Sequence, residues 1–275
     1  MGKNSLVSVV IATYRRSSLL SQTLNSIINQ TYQNLEIIIV DDGSHDSTTN
    51  TVMSVADNRI NFFSIPHSGR PAVPRNYGIS KAAGEYIAFC DDDDLWDSEK
   101  IQKQIDCFNL NPNIALIYTD YIIFSDNGDV SQSKNLHTNV EKQLYDNKVA
   151  FSSAIVRADV IKKIGNFDER MILKASEDYL FFTKLMVSFP YFYLELPLMR
   201  YRTHATGISQ IEGSISKKIK YFIRIYICID EICKKYKIPF WKKIFALSYH
   251  LKVISKQILY PLYKKCQIFM RGKNV

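Results

Sequence analysis

Residues 86–97 read Tyr86-Ile87-Ala88-Phe89-Cys90-Asp91-Asp92-Asp93-Asp94-Leu95-Trp96-Asp97, an apolar run of strand length that stops at four consecutive carboxylates. A helix is predicted just before it, from Pro71 to Ala83, with proline suited to the start and Gly84 just past the end. A buried strand following a helix belongs to an α/β sheet, and ligands bind such sheets at the carboxyl ends of their strands. The acidic cluster therefore sits where chemistry is expected.

Working outward, Val7 to Thr13 and Glu36 to Val40 are β-branched apolar runs. Between them Leu19, Leu20, Thr23, Leu24, Ile27 and Ile28 recur at helical spacing, which makes a β-α-β unit. A helix at Thr48 to Ala56 and a strand at Ile60 to Ile65 continue the alternation. Beyond the cluster come a helix at Ser98 to Asn109 and a strand at Ile114 to Ile123. The pattern predicts an α/β fold with a mixed, mostly parallel central sheet flanked by helices. From Ser125 to Lys148 the chain is polar and aperiodic, as expected of a long surface loop or lid. A strand at Ala154 to Arg157, helices at Ala158 to Ile164 and Glu177 to Val187, and two strands at Tyr191 to Leu194 and Leu198 to Tyr201 complete a body spanning residues 1–213.

Residues 214–275 form a helical appendage in this reading, with Ile219, Phe222, Ile223, Tyr226 and Ile229 on one face and Pro239 and Pro261 separating later helices. The formal charge of +8 is concentrated there: 15 Lys and Arg stand against Asp230 and Glu231 alone. Lysines interleaved with Ile, Phe, Tyr and Leu suit a lipid interface better than a phosphate backbone, so nucleic acid is not an expected partner. Two readings of this tail stay open, docking on an anionic membrane surface and packing against the body or a second copy. Five cysteines without a C-x-x-C pair argue against a disulfide framework and a zinc site, and point to a reducing cytoplasm. No uncharged run reaches about eighteen residues, the length a membrane span needs.

Four adjacent carboxylates repel one another, and a divalent cation bridging to diphosphate oxygens is the usual compensation, Mg²⁺ or Mn²⁺ suiting hard oxygen ligands. An acidic helix start is the alternative. A second acidic turn, Asp41-Asp42-Gly43-Ser44-His45-Asp46, follows the second strand, so Asp42 is placed to accept hydrogen bonds from a base or ribose, or to build a turn and helix cap. Thr13 and Tyr14, ending the first strand, are placed to meet the same ligand, Tyr14 offering its ring to a base.

The ordered motifs VSVVIATYRR (7–16), QTYQNLEIIIVDDGSHDST (30–48), GRPAVPRNYGISKAAGEYIAFCDDDDLW (69–96) and SEDY (176–179) closely resemble family 2 of the inverting glycosyltransferases, which have the GT-A fold. The resemblance covers roughly residues 5–205. It implies transfer of a sugar from a UDP- or GDP-linked donor to a glycan or lipid-linked hydroxyl, with Mn²⁺ or Mg²⁺ as cofactor. It places Ala12 and Tyr14 at the nucleobase, Asp42 on the base, and Asp91 and Asp92 near ribose and diphosphate. Asp93 becomes the metal ligand, and Asp94 an acid facing acceptor or sugar. Arg75 falls beside the nucleotide, its plainer role being an ion pair with a neighbouring acid. His204 falls on the diphosphate or metal side, and His67 and Arg70 are further donor contacts. Asp178, of the Glu177-Asp178 pair, is the implied general base.

The Q-x-x-R-W motif and multiple spans of processive synthases are missing, which favours single-sugar addition, as in surface polysaccharide assembly (capsule, O-antigen or lipopolysaccharide) at the inner face of the cytoplasmic membrane. A nucleotidyltransferase would need a Gly-rich loop where Ala12 to Arg16 has none. A non-catalytic nucleotide- or cation-binding module would have no use for Glu177-Asp178.

Overall fold

The parallel core of the sheet is built from runs whose side chains are buried on both faces. In the computed structural model, which describes residues 4–128, 130–131, 138–145, 147–203, 215–240 and 242–252, β1 (Val7–Thr13) lies between β2 (Leu35–Asp41) and β4 (Tyr86–Asp91) in parallel register. Val7, Val9, Val10 and Ile11 are fully buried, which explains why β1 reads as a continuous apolar run rather than an alternating one. The remaining strands are β3 (Ile60–Ser64), β5 (Leu95–Trp96), β6 (Leu116–Phe124), β7 (Val130–Ser131), β8 (Ile155–Arg157) and β9 (Tyr191–Arg202). Among the described residues the sheet order is β3-β2-β1-β4-β8-β6-β9-β5, with β7 paired to β6. β8 runs antiparallel to both β4 and β6, whereas β6 and β9 are parallel. The mixed, mostly parallel sheet expected from the sequence is what forms.

Helices cover both faces. α1 (Ser17–Ile28) and α4 (Lys100–Leu110) bury Leu20, Leu24, Ile27, Ile101, Ile105 and Phe108 against one face. On the other, α6 (Ala158–Ile164) and α7 (Glu177–Ser188) pack around an aromatic knot of Phe89, Phe151, Phe167, Phe181 and Phe182. The short α2 (Thr48–Met53) and α3 (Ala72–Lys81) complete the β-α-β windings. Because Ala12 registers with both Val40 and Asp91, the carboxyl ends of β1, β2 and β4 finish side by side.

Two segments differ from the sequence reading. The pair of strands expected after residue 190 is one strand, β9, which passes through Pro197. Proline cannot donate to the ladder, and the β6·β9 register shifts at Thr119, Asp120 and Tyr121 absorb the irregularity. The aperiodic stretch 125–148 contains β7 and a helix, α5 (Val140–Tyr145), both too short to show a period.

The tail begins with α8 (Ile215–Lys235). Ile225, Cys228, Ile229 and Ile232 are buried with Leu144, Leu173, Tyr179 and Leu180, while Ile219, Ile223 and Tyr226 are exposed. The face grouped in the sequence is thus divided between body and surface. Residues 242–252 are helical. Among the described residues no helix is long and apolar enough to cross a membrane.

Lys100 is fully buried in α4; its ammonium lies 2.9 Å from Gln104 Oε1 and 4.0 Å from the Trp96 ring centroid. Burial pulls its pKa down to about 7. Above that pH the unfolded chain binds the proton that the folded chain has lost, so folding stability rises from about pH 7 towards 10. Lys100→Met is expected to flatten this rise in melting temperature; an unchanged slope would remove Lys100 as its source.

Candidate active site

The ends of β1, β2 and β4, the segment 147–151 and the start of α7 enclose a cavity of about 490 Å³. Of the residues singled out in the sequence, Ala12, Thr13, Tyr14, Asp42, His67, Arg70, Arg75, Asp91, Asp92, Asp93 and Asp178 all line it. His204 lies outside the described residues.

The acidic tetrad splits by partner. Thr13 Oγ1 donates to Asp92 at 2.7 Å. Arg16, reaching across from the start of α1, places Nη1 3.1 Å from Asp92 Oδ1 and 2.6 Å from Asp93 Oδ2. Burial pushes the Asp92 carboxyl up to about 6 even against the Arg16 charge. Asp94 does not face a ligand as expected: it is buried, receives Ser152 Oγ at 2.6 Å and the Arg202 amide at 3.0 Å, and is held well above the usual carboxylate range by burial and by Asp91 and Asp93. It is a bracket for the turn. The turn after β4 directs the first three acids to the cavity and folds the fourth beneath it.

Arg75, presented by α3, joins the two acidic sites. Its Nη2 lies 2.8 Å from Asp91 Oδ1, its Nη1 2.7 Å from Glu177 Oε1, and its guanidinium carbon 3.7 Å from the Phe151 ring centroid. The ion-pair role is therefore present, and its buried Nε has no partner among the described residues. Next to Glu177, Asp178 is half-buried and receives Asn147 Nδ2 at 3.0 Å on Oδ2. Burial, helped by the Glu177 charge and opposed by Arg75, pushes its carboxyl up to about 6. Ala175, ahead of this helix, holds a left-handed φ of 66°.

At the other end, Asp42 accepts the Ser68 and Gly69 amides at 2.8 and 3.1 Å and lies 3.0 Å from His67 Nδ1. Asp42 thus braces the loop at residues 67–69 of the cavity lining, while the turn and helix cap expected of its own stretch are made by Asp41, which accepts the Ser44 amide, and Asp46, which accepts the Thr48 amide. Gly43 at φ 73° is required there, since a Cβ would approach the His67 amide nitrogen to 2.7 Å. Tyr14 stacks on His67 with centroids 4.0 Å apart, so one face of its ring is already covered.

Sequence reasoning missed Arg16, Asn147 and Ser152. Arg16 alone carried a signal, a cation shortly after the first strand. The other two act from 31 and 58 positions away, beyond any local pattern.

Among the described residues no group of three or more His, Cys, Asp or Glu side chains could cage a metal. Asp93 nevertheless fits one: it is a hard oxygen donor lining the cavity and paired with a cation, Arg16. A small divalent ion bound through one or two carboxylates and substrate phosphates needs no more from the protein.

Comparison with known proteins agrees with this arrangement. The family model described as glycosyl transferase family 2 matches residues 8–176. The chain is 31% identical over 183 residues to an uncharacterized glycosyltransferase of Haemophilus influenzae, covering 64% of this chain and 70% of that one. It is 34% identical over 127 residues to the Escherichia coli UDP-Glc:alpha-D-GlcNAc-diphosphoundecaprenol beta-1,3-glucosyltransferase WfgD, covering 46% of this chain and 50% of WfgD. In fold it is similar to Staphylococcus aureus TarS 1-349 (TM-score 0.70, 20% identity, 91% of this chain and 71% of that chain). It is also similar to the Pyrobaculum calidifontis mannosyltransferase PcManGT in complex with GDP-Man and Mn²⁺ (TM-score 0.67, 13% identity, 100% and 82%). With the family model covering more than half its length and the expected sheet, cavity and ordered motifs in place, the chain belongs to glycosyl transferase family 2 and is a glycosyltransferase of the GT-A fold.

Proposed function

We propose that the protein transfers a single sugar, with inversion, from a UDP- or GDP-linked donor to a hydroxyl on a glycan or lipid-linked acceptor in surface polysaccharide assembly. The carrying observation is that Asp93 and Asp178, from segments far apart in sequence, line one cavity. WfgD, named for a UDP-Glc donor and a diphosphoundecaprenol-linked sugar, supports the donor and acceptor classes, and PcManGT with GDP-Man and Mn²⁺ supports a GDP-linked alternative and a divalent ion.

In this reading Ala12, Thr13, Tyr14 and Asp42 hold the nucleoside, with the uncovered face of Tyr14 against the base. Asp91 and Asp92 flank ribose and diphosphate, and the buried, unpartnered Arg75 Nε supplies a donor for a phosphate oxygen. Mn²⁺ or Mg²⁺ at Asp93 would neutralise charge on the leaving diphosphate when bound. Arg16, which lines the same cavity and pairs with Asp92 and Asp93, supplies a further positive charge for the diphosphate. Inversion takes one in-line displacement, so the acceptor hydroxyl loses its proton to a carboxylate opposite the leaving group, here Asp178. Orientation matters more than basicity, because the hydroxyl becomes acidic only late in the step. His204 remains a proposed diphosphate contact.

The test is calorimetry with UDP- and GDP-sugars and Mn²⁺. Asp93→Ala is expected to weaken metal-dependent donor binding by more than about tenfold, at least about 1.4 kcal/mol; donor binding equally metal-dependent in the variant would remove Asp93 from the role. NMR of the product is expected to show the anomeric configuration opposite to that of the donor.

An ionised Asp178 is required for proton removal, so turnover is expected to rise with pH through about 6 and then level. Asn147 stabilises the ionised form, so Asn147→Ala should move this acid limb upward. A limb that stays in place would show that the amide does not tune the base.

A further inference from the structure

We infer that α8 and the helical residues 242–252 form a docking face for an anionic lipid bilayer, tied to the lining of the cavity. Three observations carry this. First, the apolar surface on the described tail is broad: Ile219, Ile223, Phe240, Ile244 and Leu251 are 53, 42, 71, 52 and 51% exposed. The two helices touch one another, the Tyr226 ring lying 5.2 Å from Lys243 Nζ and the Tyr221 ring packing edge-on to His250.

Second, the charge around that surface is of one sign. The only acids after residue 213 are Asp230 and Glu231. Asp230 is paired with Lys234 at 2.8 Å and with Lys243, and Glu231 with Arg170 at 2.5 Å. Lys220, Lys235 and Lys237 are exposed on the same tail. A second copy would set like charges against each other across such a face. Anionic headgroups complement it, while lysine stems lie along the apolar boundary.

Third, α8 is tied to the lining of the cavity. Arg224 Nη1 donates to the Lys174 carbonyl at 2.6 Å, and Lys174 and Ala175 line the cavity just before Glu177 and Asp178. Seating the tail on a bilayer fixes the acceptor side of the site beside lipid headgroups. The docking deepens the sugar-transfer reading by naming where the acceptor is met, and rests on it for that alone.

The experiment is sedimentation of the full chain with phosphatidylcholine vesicles, with and without phosphatidylglycerol. Binding is expected only with the anionic lipid, weakened by salt, and reduced about tenfold or more in the Ile223→Glu, Ile244→Glu double variant. The Leu110→Glu variant, changed at an apolar residue 80% exposed elsewhere, is expected to bind as the parent does. Lack of binding to anionic vesicles, or full binding by the double variant, overturns the proposal. So does light scattering that shows a dimer lost in the double variant, since a second copy would then be the occupant. Donor hydrolysis without vesicles is expected to be equal in parent and double variant, so a failed docking result leaves the sugar-transfer reading standing and a failed hydrolysis result leaves docking standing.

Discussion

Asp178→Asn is expected to lower sugar transfer about a thousandfold, within the range for removal of a general base, while nucleotide-sugar affinity stays within about twofold. The amide keeps the size of the side chain but cannot take a proton. Its surroundings survive the change: Arg75 pairs with Glu177 and Asp91 rather than with Asp178, so the bridge across the site is untouched. The expected signature is thus a fall in kcat with donor affinity retained, measured by nucleoside diphosphate release and calorimetry on the same preparation. Transfer at the parental rate would mean that another group accepts the proton.

The second large effect concerns folding. Arg75→Met is expected to cost about 3–5 kcal/mol, because removing one partner of a buried ion pair strands the other. Here it strands two, Asp91 and Glu177, and loses the stacking on Phe151. Burial already raises the Asp91 carboxyl, and Arg75 is the largest influence opposing it. Without that cation the folded-state pKa rises further above the unfolded value. The folded chain then holds protons that the unfolded one releases, so the variant loses stability as pH rises from about 4. Urea denaturation at pH 5 and pH 8 is expected to show the larger deficit at pH 8. Equal deficits would place the damage in lost packing rather than uncompensated charge.

Much of the architecture was legible because its signals are local. β1, β2 and β4 are apolar runs buried on both faces, and Pro71 and Gly84 bracket α3, one residue before its start and three after its end. The same locality exposed the acids: a carboxylate following such a strand has to emerge at the sheet edge, and the ligand residues named from the sequence line one cavity, except Asp94, which folds beneath it, and His204, which lies outside the described residues. Legibility ended where partner choice depends on distant segments. Asp94 looked like its three neighbours, yet the turn after β4 points it inward to Ser152 and Arg202. Arg16 looked like an ordinary cation until it met Asp92 and Asp93, 76 and 77 positions on. β9 read as two strands because proline is a local stop signal, while the bulged pairing with β6 that tolerates it is non-local. The tail stripe read as a single face because helical periodicity does not say which part of it another element covers.

Arg202 gathers several parts of the cavity rim into one piece. Its amide holds Asp94, its Nε the Asp93 carbonyl at 2.9 Å, its Nη2 Gln22 in α1 at 2.8 Å, and its Nη1 Asp126 beyond β6. A knot of this kind makes the acidic rim a fixed anvil: the turn, the first helix and the loop after β6 cannot shift one at a time. Whatever adjustment a bulky sugar demands therefore falls to the opposite bank, where residues 147–150 and the left-handed Ala175 meet the cavity, and differences in which sugar fits would be written in those few positions rather than in the acids.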